Sequence, residues 1–239
     1  MRTFNKVLLF SGGIDSYILY HFIKKWGWGA QSVYFNLGHK YARKEMDIVK
    51  KTLNPIIDES FNLERWEDIN SHIPFRNLLF AMGASVYGVD EVFIGGVKDD
   101  NVYDNKRPVH DEMTGIISRH LDKYVKVTAP FIDAGMTKAD IVHWFIRYRG
   151  QEQAQKELLE NTYSCFSGDE ECMECKACFR KFSTLYSFGM AVPKFKGEDV
   201  AHAYLTARFS YPPHRENMIL NYLAYSGFEL YGKTAQKIT

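Results

Sequence analysis

The sequence predicts an α/β protein, in which a doubly wound, mostly parallel five-stranded sheet fills residues 1–150 and a helical, zinc-binding region follows. Three observations predict it. Short apolar runs alternate with helix-period patterns through the first half, as in a parallel sheet wrapped by helices. Two of those runs lead into Gly-Gly, at Gly12–Gly13 and Gly95–Gly96. Past Gly150 the chain turns polar, then supplies four cysteines, and much of its aromatic content follows.

Each element follows from a local pattern. "KVLLF" (6–10) is a short buried-type strand, and Ile14–Trp26 carries apolar residues at helical spacing. "QSVYFNL" is the second strand, and a charged helix runs from about Tyr41 to Leu53. "NPIIDESF" is a weaker strand; "NLLFAMGASVYG", from Asn77, is a helix whose small residues suit packing on a sheet. "DEVFIGG" and "KYVKVTAPF" complete the five strands, and Lys138–Arg149 is the helix after them. In such a sheet, ligands sit beyond the carboxyl ends of the strands. After the boundary near residue 150, "QEQAQKELLE" and "FRKFSTLYSFGM" read as helices. The expected division is 1–150 for nucleotide binding, 151–190 for the zinc-binding region, and 191–239 for an aromatic extension holding a helix-like "ENMILNYLAYSGF".

Bulk properties narrow the function. The 239 residues are 46% hydrophobic and 25% charged, an ordinary globular composition. A formal net charge of +1 offers no field to draw the chain to nucleic acid or to a membrane, so neither is expected as a partner. The opening "MRTFNKVLLF" has too short an apolar run for a secretory signal, and no run reaches membrane-spanning length. A cytoplasmic location is therefore expected, where cysteines stay reduced and serve as metal ligands more readily than as disulfides.

The loop "SGGIDS" (11–16) joins the first strand to the first helix. Glycines there turn backbone N–H groups inward, and the first turn of a helix leaves N–H groups free for an anion. Ser11 and Ser16 add hydroxyl donors, and Asp15 suggests a Mg²⁺ ion bridging it to phosphate. The bland alternative is a tight turn capped by serine and aspartate. No G-K-[ST] follows, so this is not a Walker loop. It resembles the S-G-G-x-D-S pyrophosphate loop of the ATP-pyrophosphatase (PP-loop, adenine nucleotide alpha hydrolase-like) superfamily, which adenylates a substrate and releases pyrophosphate.

Cys165, Cys172, Cys175 and Cys178 stand in C-x6-C-x2-C-x2-C spacing, and the chain has no other cysteine. Four thiolates so spaced can close a tetrahedral zinc site, one per chain, with no open position for substrate; an Fe–S cluster is the competing occupant. Together with the loop, "TYSC" and this cluster resemble the QueC family of 7-cyano-7-deazaguanine synthases over roughly residues 6–187. "YFNLGHKYARKE", "IPFRN" and "APFIDAGMTKADI" resemble three further motifs of the family, F-[DN]-Y-G-Q-R-H-x-x-E, V-P-x-R-N and P-[LF]…T-K-x-E-I. There are departures. Asn36, Leu37, His39, Lys40 and Tyr41 differ from the usual D-Y-G-Q-R-H, Glu45 falls one place late, and Phe75 replaces a favoured glycine. The family's E-x-D-x-S-G-Y-P-D-C-R stretch is replaced by "KDDNVYDNKRPVHDEM".

The resemblance implies an ATP- and Mg²⁺-dependent ligase that converts a small-molecule deazapurine, 7-carboxy-7-deazaguanine, with ammonia to the nitrile through an acyl adenylate and an amide. It implies pyrophosphate binding by Ser11, Gly12, Gly13, Asp15 and Ser16, with Lys138 at the α-phosphate and Arg76 at a phosphate or the substrate carboxylate. Lys138, Arg76 and Asp15 are thus the catalytic candidates. Phe10, Tyr34 and Phe35 would border the adenine, unless they are plain sheet core. Arg76, Asn77, Asp99, Asn101 and Glu112 are the substrate-side candidates, and His39 is either catalytic or a local hydrogen-bonder. The departures keep open a variant that stops at the amide or passes the acyl group to another amine. Two further alternatives are a PP-loop enzyme of tRNA thiolation and a non-catalytic nucleotide sensor. The aromatic extension suits a homodimer surface or a cap over the substrate, and the sequence does not choose.

Overall fold

The computed structural model describes residues 5–68, 73–100, 102–166, 170–172 and 175–190, and the backbone of 228–231 and 234–237. Five strands, β1 (Lys6–Leu9), β2 (Gln31–Phe35), β3 (Ile56–Asp58), β4 (Glu91–Phe93) and β5 (Lys126–Thr128), form one sheet in the order β3-β2-β1-β4-β5. All four pairings are parallel, with Val7 opposite both Gln31 and Val92. The strands read as continuous apolar runs because both faces are covered. Val7, Leu9, Val33, Phe35 and Val92 point into one core cluster, and the alternating Leu8, Phe10, Tyr34 and Phe93 into the other.

Helices α1 (Ile14–Lys25), α2 (Ala42–Thr52), α3 (Arg76–Ser85) and α4 (Arg107–Leu121) connect the strands. After β5 come the single turn α5 (Pro130–Asp133), then α6 (Lys138–Arg149), α7 (Gln151–Glu160) and α8 (Lys176–Ser187). A capping box starts α6: the Thr137 hydroxyl accepts from the Asp140 backbone N–H (3.2 Å), and the Asp140 carboxylate accepts from the Thr137 N–H (2.8 Å). Gly150, at φ 85°, breaks α6 from α7. Ala154, Leu158, Tyr163, Cys178, Phe179 and Phe182, all beyond that break, lie in the same buried cluster as Ile18, Leu19 and Phe145.

The sequence reading misses three features. Helix α4 begins inside "KDDNVYDNKRPVHDEM", where no helix is predicted from the sequence; Pro108 sits in its first turn, where the missing N–H costs nothing. The last strand stops at Thr128, because Pro130 sets the backbone for the turn of α5 instead. Phe228–Tyr231 (β6) pairs antiparallel with Thr234–Lys237 (β7), a hairpin not anticipated. The expected helix over 216–227, and the rest of the aromatic extension from 191, lie outside the described residues. None of the described helices is long and apolar enough to cross a membrane.

Candidate active site

The order of the sheet reverses at β1, since β2 lies on one side of it and β4 on the other. A doubly wound sheet opens a crevice at that point, above the carboxyl ends of the strands. A cavity of about 290 Å³ lies there, near the small end of the range for small-molecule sites. Its floor is Leu9 at the end of β1 and Phe10 just past it, Val33–Phe35 from β2, and Ile94 and Gly95 after β4.

The loop after β1 forms one wall. Gly12 sits at φ 73°, and a Cβ there would come within 2.9 Å of Val49 on α2, so the position requires glycine. Its carbonyl accepts from the Tyr163 N–H at 2.9 Å, which ties the loop to a segment far along the chain. The Ser16 hydroxyl donates to the Gly13 carbonyl (3.0 Å), and Ser11 Oγ lies 3.3 Å from Ser16 Oγ. No side chain caps the first turn of α1.

Charged side chains from α2 (Glu45), α6 (Lys138), α8 (Arg180) and the segment after β4 (Asp100) line the cavity. The Lys138 ammonium, at the start of α6, is bonded to both oxygens of the Asp15 carboxylate. Burial pushes the Asp15 carboxyl above its usual range, and the Lys138 charge pulls it back. Asp99 acts behind the cavity wall: its Oδ1 accepts from the Lys138 backbone N–H at 2.8 Å and fixes the start of α6. Asp100 accepts from Arg180 of α8 (2.6 Å) and from the Asn105 side-chain amide (2.6 Å). Across the cavity, Tyr34 donates to Glu45 Oε2 (3.1 Å), which also bonds His39 Nε2 (3.1 Å). Burial raises the Tyr34 and Tyr41 phenols, and the Glu45 charge adds to it; Arg76 partly offsets the effect at Tyr41.

Eleven of the nucleotide- and substrate-side candidates singled out in the sequence line this cavity together: Phe10, Ser11, Gly13, Asp15, Ser16, Tyr34, Phe35, His39, Arg76, Asn77 and Lys138. Gly12 and Asp99 support the wall without lining it, and Glu112 is exposed on α4 away from it. Asn101 lies outside the described residues. Sequence reasoning missed Asp100, Asn105 and Arg180. Asp100 and Arg180 are 80 positions apart and make one contact, which leaves no local pattern to read.

Beside the cavity, Cys165, Cys172, Cys175 and Cys178 bring their sulfurs within 4.8 Å of one another. Four thiolates around one tetrahedral ion at a metal–sulfur distance of about 2.3 Å would stand about 3.8 Å apart, so a small inward movement closes the site. The backbone is already arranged for thiolate: the N–H groups of Cys172, Cys175 and Cys178 donate to the sulfurs of Cys165, Cys172 and Cys175 at 3.3, 3.3 and 3.4 Å. Cys178 above all draws the Cys175 thiol down to about 4, against the opposing effect of burial. Lys181, with only 1% of its side chain exposed, donates to the Thr162 carbonyl (2.8 Å) and the Glu171 carboxylate (2.9 Å) and sets a positive charge beside the cluster. The cluster could hold a metal ion.

Comparison with known proteins bears on both features. A family model described as "Queuosine biosynthesis protein QueC" matches residues 55–189, more than half of the chain. The chain is 25% identical over 205 residues to a 7-cyano-7-deazaguanine synthase of Nitratiruptor sp., covering 72% of this chain and 89% of that one. It is 28% identical to the protein of that name from Persephonella marina (80% and 96% covered) and 26% identical to that from Archaeoglobus fulgidus (82% and 92%).

Proposed function

Because the chain belongs to the QueC family of queuosine-biosynthesis enzymes, we propose that it converts 7-carboxy-7-deazaguanine, ammonia and ATP to 7-cyano-7-deazaguanine at the cavity above β1. One observation carries the proposal beyond the family name. A single cavity joins an uncapped helix N-terminus and two serine hydroxyls to Lys138, Arg76 and Asn77, which come from distant segments.

The reaction class follows from the substrate. A carboxylate is a poor electrophile because hydroxide leaves badly. Attack of its oxygen on the α-phosphorus of ATP expels pyrophosphate and gives an acyl adenylate, from which AMP can leave. Ammonia then forms the amide; adenylation of the amide oxygen and loss of AMP give the nitrile. Charge gathers on phosphate oxygens throughout, and donors aimed there lower the barrier. The N–H groups of the Gly13–Ser16 turn, with Ser11 and Ser16, would hold the pyrophosphate; Lys138 would move from Asp15 toward the α-phosphate; Arg76 would meet the substrate carboxylate. Mg²⁺, when bound, would neutralise the phosphates, and Asp15 is the carboxylate that could hold it. The Cys₄ cluster suits structural zinc, since four protein ligands leave no position for substrate.

The altered substrate side favours one further reading, a reaction that ends at the amide or delivers the acyl group to another amine. Val102 and Asn105 line the cavity in the stretch where the family carries Ser-Gly-Tyr-Pro, and Glu112 faces away. Thiolation finds no such support, because the chain's four cysteines all stand in one cluster and none is left to carry sulfur. The test is mass spectrometry of products from 7-carboxy-7-deazaguanine, ammonium, Mg²⁺ and excess ATP, with AMP counted. Nitrile with two AMP supports the main reading, amide with one AMP supports the second, and no AMP refutes both.

A further inference from the structure

We propose that Lys181 is a positioning residue that links the cysteine cluster to the loop at 11–16, so that closure of the cysteines on a metal ion and the binding of ATP strengthen one another. This rests on the reading of that loop as the one that holds ATP, and it names the path by which the cluster bears on it.

Lys181 stands one turn past Cys178 on α8, with 1% of its side chain exposed. Its ammonium has two acceptors. The first is Glu171 Oε1 at 2.9 Å, and the same oxygen accepts from the Ser164 N–H at 3.1 Å. Glu171 directly precedes Cys172, and Ser164 directly precedes Cys165. One carboxylate oxygen therefore ties the neighbours of two sulfur ligands to Lys181. When those sulfurs draw together around an ion, the carboxylate and the lysine are drawn with them. Burial works against the Lys181 charge, and Glu171 and then the Cys178 and Cys165 sulfurs favour it.

The second acceptor is the Thr162 carbonyl, at 2.8 Å. That carbonyl shares its peptide plane with the Tyr163 N–H, which donates to the Gly12 carbonyl at 2.9 Å. The Gly12 carbonyl shares its own plane with the Gly13 N–H, at the start of α1, and Gly13 lines the cavity. A trans peptide is rigid, and its C=O and N–H point opposite ways. Two peptide planes thus run head to tail from a buried cation to the loop, each bond polarising the next. The 162–163 plane cannot tilt at the lysine without tilting at Gly12, and the direction of the Gly13 N–H follows. That N–H has only a long contact, 3.4 Å to the Ser11 hydroxyl, which a phosphate oxygen can replace.

Stability alone is a weak reason to keep such a pair. Desolvating two charges offsets much of their attraction, and packed apolar side chains of similar volume serve a core as well. An apolar side chain cannot hold the Thr162 carbonyl and the cysteine loop at once.

The experiment uses the zinc-loaded protein and the α,β-methylene analogue of ATP, which cannot release pyrophosphate. Titration calorimetry first measures the analogue, with Mg²⁺, binding to the wild type. Competition with a chromogenic chelator then reads zinc affinity with and without the analogue. Coupling is reciprocal, so this one ratio reports both directions, and the expected gain is about tenfold. In Lys181→Met the ratio should fall to within about twofold. Leu185→Ala, which opens a cavity in the same helix away from these bonds, should melt lower yet keep the tenfold ratio. If Lys181→Met does not fold, Glu171→Ala cuts the link at its cysteine end and should lower the ratio equally. Zinc affinity indifferent to the analogue in the wild type would overturn the proposal. So would a ratio that survives Lys181→Met, or one that Leu185→Ala abolishes too, which marks general loosening. An analogue that does not bind the wild type removes the reading of the loop as an ATP site, and this proposal with it.

Discussion

Replacing Gly95 by alanine tests how tightly the anion loop is held against the sheet. Gly95 stands two residues past the end of β4, and its φ is not in the left-handed region, so space rather than backbone conformation is what requires glycine. A Cβ built there stands 3.0 Å from Ser16 N, 3.1 Å from Ser16 Cα and 3.4 Å from Asp15 C. Those are backbone atoms in the first turn of α1 and cannot rotate away. Ile14 and Tyr17 are buried on either side of them, and Lys138 holds Asp15. The turn would have to retreat by a few tenths of an ångström. Overpacking of this kind costs about 1–3 kcal/mol, or roughly 2–12 °C in melting temperature for a chain this long. The N–H groups proposed to face phosphate retreat with it. Hydrogen bonds to a charged group contribute about 1.5–3 kcal/mol each, so weakening them should loosen ATP binding about tenfold. Thermal melts with and without Mg²⁺–ATP read both effects. Gly115→Ala is the control: its Cβ meets only the Arg119 guanidinium at 3.2 Å, and a helix interior favours alanine over glycine by about 0.5–1 kcal/mol. Gly115→Ala should melt higher. If Gly95→Ala melts with the wild type and gains as much from ATP, the close approach of β4 to α1 does not govern the loop.

Two more expectations follow from other parts of the molecule. Metal analysis should find one zinc per chain in a colourless protein. Stripping it with a chelator should lower the melting temperature and abolish amide formation, because Cys175 caps α8 and that helix carries Arg180 to the cavity; iron with visible absorbance would assign the cluster otherwise. Phe75→Gly should raise stability by about 0.5–1 kcal/mol, read by denaturant titration, because Phe75 is held at φ 59° with 72% of its surface exposed and loses little packing on removal. A loss of stability would mean the ring has a partner.

Much of this was legible in the sequence, for physical reasons that differ from element to element. The strands could be read because burial on both faces demands unbroken apolar runs, as in "KVLLF" and "QSVYF". The two Gly-Gly pairs could be read because backbone must pass close to something. At 11–16 it is the turn proposed to face phosphate; at Gly95 it is α1, and at Gly96 it is the Asn105 side chain, 2.3 Å from where a Cβ would stand. The cysteines could be read because a metal site imposes short spacing. Helix α4 also left a signal, with Val109, Met113 and Ile117 at intervals of four behind Pro108. What had no local trace was pairing across the chain. Lys138 with Asp15 and Arg180 with Asp100 are joined only by the fold, so a reading by residue type finds the lysine and misses the arginine.

The bond from the Tyr163 N–H to the Gly12 carbonyl has a consequence for how the chain is made. Its two ends are separated by about 150 residues, and at roughly 5–20 residues per second one emerges some 8–30 seconds after the other. Thr52 and Lys51 wait similarly for the carbonyls of Asn161 and Glu160. Through that interval the nascent sheet carries a glycine-rich turn that lacks this bond, and its last brace arrives only when the segment around Tyr163 docks. The first loop translated is among the last to be finished.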